Sequence, residues 1–323
     1  MAGVIKKKII RPVRDYTLYA LLQVAVLTLK LFPRRFVLFI HGHLAILFYH
    51  ILSNTRRNVR KHLKLVFGKE KTDEEIEAMS REVFVNLGKT FTDYIIFSGM
   101  TTRQQFLKHF TIEGEEHLTQ AYNKGKGVLC LIPHTSGWEF SAIMPPILGY
   151  ETSAISRKIK MKALNRSMIK YRERRGMKNI SRDGNVFDRL KEVLTKGECL
   201  IIMIDQDSKK IKGEFLKFFE MEAYTPLGCA RLAMETGAAI VPMATFRKPD
   251  DSYIFKIYPE MHLELTEDCT FDLCHNTQLH NNTLEEIIRE YPTQWVWMHQ
   301  RWDTTPEKLK EYLRKRKINI KCN

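Results

Sequence analysis

Two long apolar runs open the hydrophobic pattern of this chain. Tyr16–Phe32 is interrupted by Gln23 and Lys30, and Phe36–Leu52 follows the break Pro33-Arg34-Arg35. Next, Thr72-Asp73-Glu74-Glu75 has the acidic first turn of a helix. Ile76, Met79, Val83, Leu87, Phe91, Tyr94 and Ile95 then recur at helical spacing, which predicts one long amphipathic helix. From about Gly125 the rhythm changes. Val128–Ile132 is a short continuous apolar run, the pattern of a strand covered on both faces. Thr152–Ser156, Leu200–Ile204 and Ala238–Phe246 read as further strands, and Tyr253–Tyr258 alternates like a partly exposed one. Met161–Arg175, Asn185–Thr195, Thr225–Glu235 and Leu284–Glu290 read as helices, with Gly237 stopping the third and Tyr291-Pro292 the fourth.

Strands alternating with helices predict an α/β fold, a central largely parallel sheet flanked by helices. It follows an N-terminal hydrophobic, membrane-anchor helical region. The divisions expected are an anchor over 1–60, a globular catalytic domain over 61–306 and a basic C-terminal tail over 307–323. No internal repeat is visible. In a parallel sheet, sites form beyond the carboxyl ends of strands. His134 and Asp205 follow two such ends.

Charge narrows the partners. Lys and Arg total 52 against 37 Asp and Glu, a net charge of +15 that favours anionic surfaces. Basic residues flank both apolar runs: Lys6, Lys7, Lys8, Arg11 and Arg14 before, Arg34 and Arg35 between, and Arg56, Arg57, Arg60, Lys61 and Lys64 after. Each run is about 17 residues long, at the low end for a bilayer span. A two-span hairpin would place Arg34 and Arg35 on the far side, against the positive-inside tendency. An anchor lying in, or partly entering, the cytoplasmic leaflet of an anionic membrane fits best. One true span and a pair of core helices are the alternatives. No small-residue cleavage site follows the first run.

The six cysteines mostly stand alone in apolar runs, as buried thiols do. Cys269 and Cys274-His275 fit no strong zinc spacing, so neither a metal nor a cofactor is expected. A phosphate-cradling glycine loop is absent, and so is any nucleic-acid-binding signature; nucleotides and nucleic acid are not expected partners.

The chemistry concentrates in Pro133-His134-Thr135-Ser136-Gly137-Trp138-Glu139, where a strand ends and a helix begins. Ser136 and Glu139 fit a capping box, and His134 alone fits a core imidazole. Together, His134 can take a proton from a hydroxyl, and a carboxylate can orient its ring and favour the imidazolium. Five positions on one helix place side chains about 140° apart. So His134 must precede the helix, with Glu139 in its first turn, for the two to meet. A pair without a nucleophilic Ser or Cys suits direct attack by an acceptor hydroxyl on a thioester.

These residues resemble the His-x4-Asp/Glu acyltransferases, and specifically the bacterial lipid A biosynthesis late acyltransferases (lauroyl and myristoyl transferases). The likeness runs over roughly residues 36–306. It comprises His134 and Glu139; Arg157 ending the next strand; Asn165; Lys196-Gly197 leading to Asp205-Gln206; Phe218-Phe219 and Thr225 leading to Leu232-Ala233 and Thr236-Gly237-Ala238; and Tyr291-Pro292 through Trp295, Trp297, His299 and Arg301, with Pro306 after it. This chain departs from the family at Glu220, where Gly is frequent, and at Ser156, where an aromatic residue is frequent.

The resemblance implies an acyl–acyl carrier protein donor and a membrane glycolipid acceptor, a lipid A precursor, at the inner membrane, with the catalytic domain facing the cytoplasm. Its implied catalytic set is His134 as base, Glu139 as support, Arg157 on the oxyanion or an acceptor phosphate, and Asp205 as an orienting group. Asn165, Gln206, Thr225, His299 and Arg301 are the substrate-binding candidates. The carrier protein is acidic, and Lys158, Lys160, Lys162, Arg166, Lys170, Arg172 and Arg174 form a basic stretch suited to docking it. Two other readings stand beside this one. The same pair serves a lysophospholipid or mannoside acyltransferase using acyl-CoA, which a comparison of donors separates. A basic membrane-tethered binding protein is the second, and it leaves Pro133–Glu139 unexplained.

Overall fold

A computed structural model describes residues 11–155, 159–181 and 184–316 of the 323. Four helices come first: α1 (Arg11–Leu29), α2 (Arg34–Ile51), α3 (Ser53–Phe67) and α4 (Asp73–Ile96). A capping box starts α4: the Thr72 hydroxyl accepts from the Glu75 amide, and the Glu75 carboxylate accepts from the Thr72 amide. The helix α3 runs without a break through the boundary expected at residue 60.

Strands and helices then alternate. A short helix, α5 (Arg103–Phe106), leads to β1 (Phe110–Glu113), α6 (Glu115–Asn123), β2 (Val128–Leu131), α7 (Trp138–Ile147), β3 (Thr152–Ile155), α8 (Lys162–Glu173), β4 (Met177–Ile180), α9 (Val186–Thr195) and β5 (Cys199–Ile202). Then come β6 (Gly213–Phe218), β7 (Met221–Pro226), α10 (Gly228–Thr236), β8 (Ala239–Arg247), β9 (Tyr253–Ile257), α11 (Cys269–Glu290) and α12 (Pro306–Arg316).

Seven strands form one sheet in the order β1-β9-β8-β2-β5-β3-β4. Every pairing is parallel except β8 with β9. Side chains alternate faces along a strand. Leu129 and Leu131 therefore join one core, with Leu200, Ile240 and the buried faces of α3 and α4. Val128 and Cys130 join the other, with Cys199, Val241 and Phe140. Both faces are covered, which is why the central strands read as unbroken apolar runs.

The pattern did not mark α5, β1, α6, β4 or α12, and three expected elements take another form. Thr225 lies in β7, not in a helix; β6 and β7 form an antiparallel hairpin, and the helix begins only at Gly228. The strand β9 is buried at every position but Lys256, because Tyr253, Phe255 and Ile257 pack in the core on one face of the sheet and Ile254 packs with Ile287 of α11 on the other. The helix expected over Leu284–Glu290 is the last third of the longer α11, whose start is capped by Asp268 accepting from Thr270 and Phe271.

The two apolar runs are the helices α1 and α2. Val37, Leu38, Ala45 and Tyr49 of α2 are buried, and Gly42 and Ala45 allow close packing on α4. Arg34, at the break, donates to both oxygens of buried Asp93 at 2.8 and 2.9 Å. The other face of α2 carries exposed Phe36, Phe39, Leu44, Leu47, Phe48 and Ile51. Among the described residues no single helix is long and apolar enough to cross a membrane; α2 and α3 together would be, but they meet at 93°.

Candidate active site

The strands β2 and β5 are parallel neighbours, and Leu131 pairs with Ile202. His134 and Asp205 each lie three residues beyond that pair. The matched register therefore brings them together at the carboxyl edge of the sheet. One carboxylate oxygen of Asp205 accepts from the His134 backbone amide at 2.6 Å. The other meets Nδ1 of the His134 ring at 2.6 Å. Asp205 thus holds both the loop and the ring.

Residues 294–296 complete the cradle. Trp295 bridges Thr135 in antiparallel fashion, and its indole N–H donates to Asp205 at 2.8 Å. The Val296 amide donates to the His134 carbonyl at 3.0 Å, and the Ser136 amide to the Gln294 carbonyl at 2.5 Å. Gly137 follows, packed so tightly on β8 that a Cβ would lie 2.7 Å from the Thr245 carbonyl oxygen.

Asp205 is fully buried. Burial alone would raise its pKa, but the charge of His134, and the hydrogen bonds from His134 and the Trp295 indole, overcome this and lower it to about 2. The carboxylate is therefore ionised at any physiological pH. It accepts the proton on Nδ1, which leaves Nε2 as the basic nitrogen. The His134 side chain keeps 19% of its surface exposed. Trp138 and His299 stand beside it, with ring centres 6.2 and 6.0 Å away. Enough protein surrounds His299 to desolvate it, and together with the charge of His134 this lowers its pKa.

The expected pairing of Glu139 with His134 is replaced. Glu139 is buried in the first turn of α7 and takes two hydrogen bonds from Arg172, at 2.6 and 2.8 Å. The expected capping box is absent too: Gly137 is the N-cap, and Ser136 donates its hydroxyl to the Gln294 carbonyl at 3.1 Å. Tyr94 ties the same turn, donating to the Ser136 carbonyl at 2.7 Å and accepting from the Glu139 amide at 3.2 Å. Burial, with Glu139 nearby, pushes the Tyr94 phenol well above its usual pKa, so it stays a donor.

The other expected site residues divide. Gln206 follows Asp205 at the strand end. Asn165 accepts from the Ile159 amide at 2.8 Å, tying α8 to the chain before it. Arg301 and Thr225 are bonded to each other behind the site. Arg301 is fully buried and donates to the Tyr224 carbonyl at 2.8 Å and the Thr225 hydroxyl at 2.6 Å, so it clasps the closing segment to the hairpin. Burial lowers its pKa to about 10. Of the basic stretch, Lys160, Lys162, Arg166, Lys170 and Arg174 are exposed, whereas Arg172 is committed to Glu139. Arg157 and Lys158 lie outside the described residues. His275 bonds Glu264, and among the described residues no cluster of His, Cys, Asp and Glu could hold a metal ion.

The site is thus a histidine held by a buried carboxylate at a strand end, with the Glu139 turn five residues on bound to Arg172. The family model of bacterial lipid A biosynthesis acyltransferases matches residues 5–304. The chain belongs to that family. A palmitoleoyltransferase of lipid A biosynthesis from Escherichia coli is 26% identical over 76% of this chain and 78% of its own length. A lauroyltransferase of lipid A biosynthesis from Escherichia coli is 31% identical over 36% of this chain and 37% of its own. A phosphatidylinositol mannoside acyltransferase from Mycolicibacterium smegmatis is 26% identical over 58% of this chain; the match spans 60% of that protein's length.

The sequence missed three members of this site. Trp295 lies in the closing motif, but nothing in the order of residues aims its indole at Asp205. Tyr94 reads as one more apolar position of a helix. Arg172 reads as part of a basic face.

Proposed function

We propose that this chain transfers a fatty acyl chain from an acyl–acyl carrier protein to a hydroxyl of a lipid A-type glycolipid at the inner membrane, with its catalytic domain on the cytoplasmic side. The hydrogen bond between His134 Nδ1 and buried Asp205 carries the reading. It leaves Nε2 free to take the acceptor's proton. The acceptor oxygen attacks the thioester carbonyl carbon, and the C–S bond breaks as the ester forms. The imidazolium returns the proton to the departing thiolate. Asp205 stabilises the positive charge on His134 during the transfer. Glu139 and Arg172 lock the first turn of α7, on which His134's own loop depends. The developing oxyanion falls to Arg157 in this reading.

The exposed cations of α8 and the residues before it suit an acidic carrier protein. The apolar outer face of α2, with exposed Leu27, Leu31 and Phe32 of the α1 end, suits the bilayer in which the acceptor resides. The mannoside acyltransferases among the relatives favour one other acceptor class, a mannosylated lipid.

The test is acyl transfer by the purified chain, read by mass spectrometry of the lipid product. Acyl carrier protein and CoA thioesters are compared as donors, and a lipid A precursor and a mannoside as acceptors. His134→Ala should lower turnover by at least about a thousandfold without loss of folded protein. Wild-type turnover in that variant removes His134 as the base. A preference for acyl-CoA and the mannoside removes the lipid A assignment.

A further inference from the structure

The elbow between α2 and α3 places two different surfaces side by side. Leu44, Leu47, Phe48 and Ile51 form a row along the outer face of α2, with Leu52 at the bend, and all five are exposed. The chain then turns by 93° into α3. That helix carries Arg56, Arg57, Arg60, Lys61 and Lys64, which line a cleft of about 520 Å³ at the start of the helix; Asp73 is the carboxylate among its lining residues. Lys64 pairs with Asp73 and Arg60 with Glu77. Arg57 donates to the Asn54 side-chain oxygen at 3.2 Å, and Arg56 stands over the Tyr49 ring at 5.4 Å. Among the described residues Arg56, Arg57 and Lys61 have no carboxylate partner.

The buried face of α3 explains why these cations hold their place. Val59, His62, Leu63 and Phe67 are buried, and His62 bonds the Trp297 carbonyl through Nδ1 at 2.9 Å. The helix is anchored in the core, so the positions from which its cations extend are set by the fold. A cluster of unpaired cations in a cleft calls for an anion with several oxygens, such as a phosphate. An apolar row beginning at the rim of that cleft calls for an acyl chain. Both occur on one molecule in one place, a phospholipid at a bilayer surface.

We infer that the α2–α3 elbow is a binding site for the headgroup phosphate of an anionic phospholipid, whose acyl chains lie along the outer row of α2. The inference rests on the membrane reading above and adds to it a headgroup site built on α3, apart from the His134 loop. Bound there, the lipid would hold the domain at the bilayer by a rigid core element.

Vesicle co-sedimentation tests it. The wild-type chain should partition onto vesicles of phosphatidylcholine with about 30% phosphatidylglycerol, and weakly onto phosphatidylcholine alone. Arg57→Gln with Lys61→Gln removes two exposed, unpaired cations and should weaken partitioning onto the anionic vesicles by about tenfold or more. Lys160→Gln with Lys170→Gln, an equal charge change on α8, should lower it much less. Acylation of a detergent-dispersed acceptor should be unchanged in the Arg57/Lys61 variant. Equal losses from both pairs would show diffuse attraction and overturn the site. Unchanged vesicle binding with a raised KM for a phosphorylated acceptor would instead assign the cleft to the substrate and overturn it as well. Absence of acyl transfer by the wild type, with vesicle binding as described, would fail the proposed reaction and leave the lipid site standing.

Discussion

At the residue scale the site depends on which nitrogen of His134 carries the proton. Asp205 accepts from Nδ1. In Asp205→Asn the amide group facing the ring would donate to Nδ1 and drive the proton to Nε2. Turnover should fall by about 10²–10⁴-fold, measured by steady-state kinetics with the folded fraction unchanged. Asp205 is ionised in the folded protein down to about 2, below its ordinary 3.8. Its contribution to stability is therefore complete above the ordinary value and is lost as pH falls through about 2. Glu139 and Arg172 make a second, separable unit. Removing either leaves the other charge buried and should cost roughly 3 kcal/mol. In a cycle of Glu139→Gln and Arg172→Met, chemical denaturation should show the double variant less destabilised than the sum of the singles by at least about 1 kcal/mol. Additive losses would mean the contact at 2.6 Å carries no coupling.

At the element scale the β6–β7 hairpin shows how a local departure is absorbed. Its two-residue turn is Phe219-Glu220, both left-handed, with φ of 50° and 62°. Such a turn twists the right way for a hairpin but strains residues other than Gly and Asn. Phe219 is held by contacts with Trp297, Phe67 and Phe218. Glu220 has 88% of its side chain exposed and one long ion pair with Lys217. Glu220→Gly should stabilise the protein by about 0.5–1 kcal/mol, read as a rise in melting temperature. No gain would place the strain elsewhere. The hairpin escaped the sequence pattern because its turn lacks glycine and Thr225-Pro226 reads as a helix start. The parallel strands were legible because both of their faces are covered by helices. The strands β1 and β4, at the two edges of the sheet, were not, because each has only one buried position in four.

At the scale of the whole molecule, burial decides the response to acid. His280 of α11 lies in the interior, and desolvation lowers its pKa from 6.5 to about 4. The unfolded chain takes up this proton first, so the associated stability is complete above 6.5 and is lost as pH falls through 4. Between pH 7 and 5 the loss should be about 2 kcal/mol. His280→Leu should remove that part of the acid sensitivity in denaturation curves at the two pH values. An unchanged difference would assign it to other groups. Whole-molecule packing also gives Arg34 a partner inside the fold. Arg34 appeared to be a membrane-flanking charge, yet it is bonded to Asp93, which also pairs with Arg247 of β8 at 2.8 Å and accepts from Tyr253 of β9 at 2.8 Å. The second apolar run is two-sided, one face packed on α4 and one free.

The sequence by itself determined the alternation of strands and helices, the strand ends that carry His134 and Asp205, and the family likeness. These are local properties: periodicity within an element, and short motifs at its end. It could not determine which carboxylate meets the histidine. Glu139 is near in the chain, but a helix turn directs it to Arg172. Asp205 is 71 residues away along the chain, and the parallel register of β2 and β5 brings it to the ring. Register, helix orientation and the return of Trp295 onto the site are set by packing between distant segments. That is why His134 could be singled out from the order of residues and its carboxylate partner only from the fold.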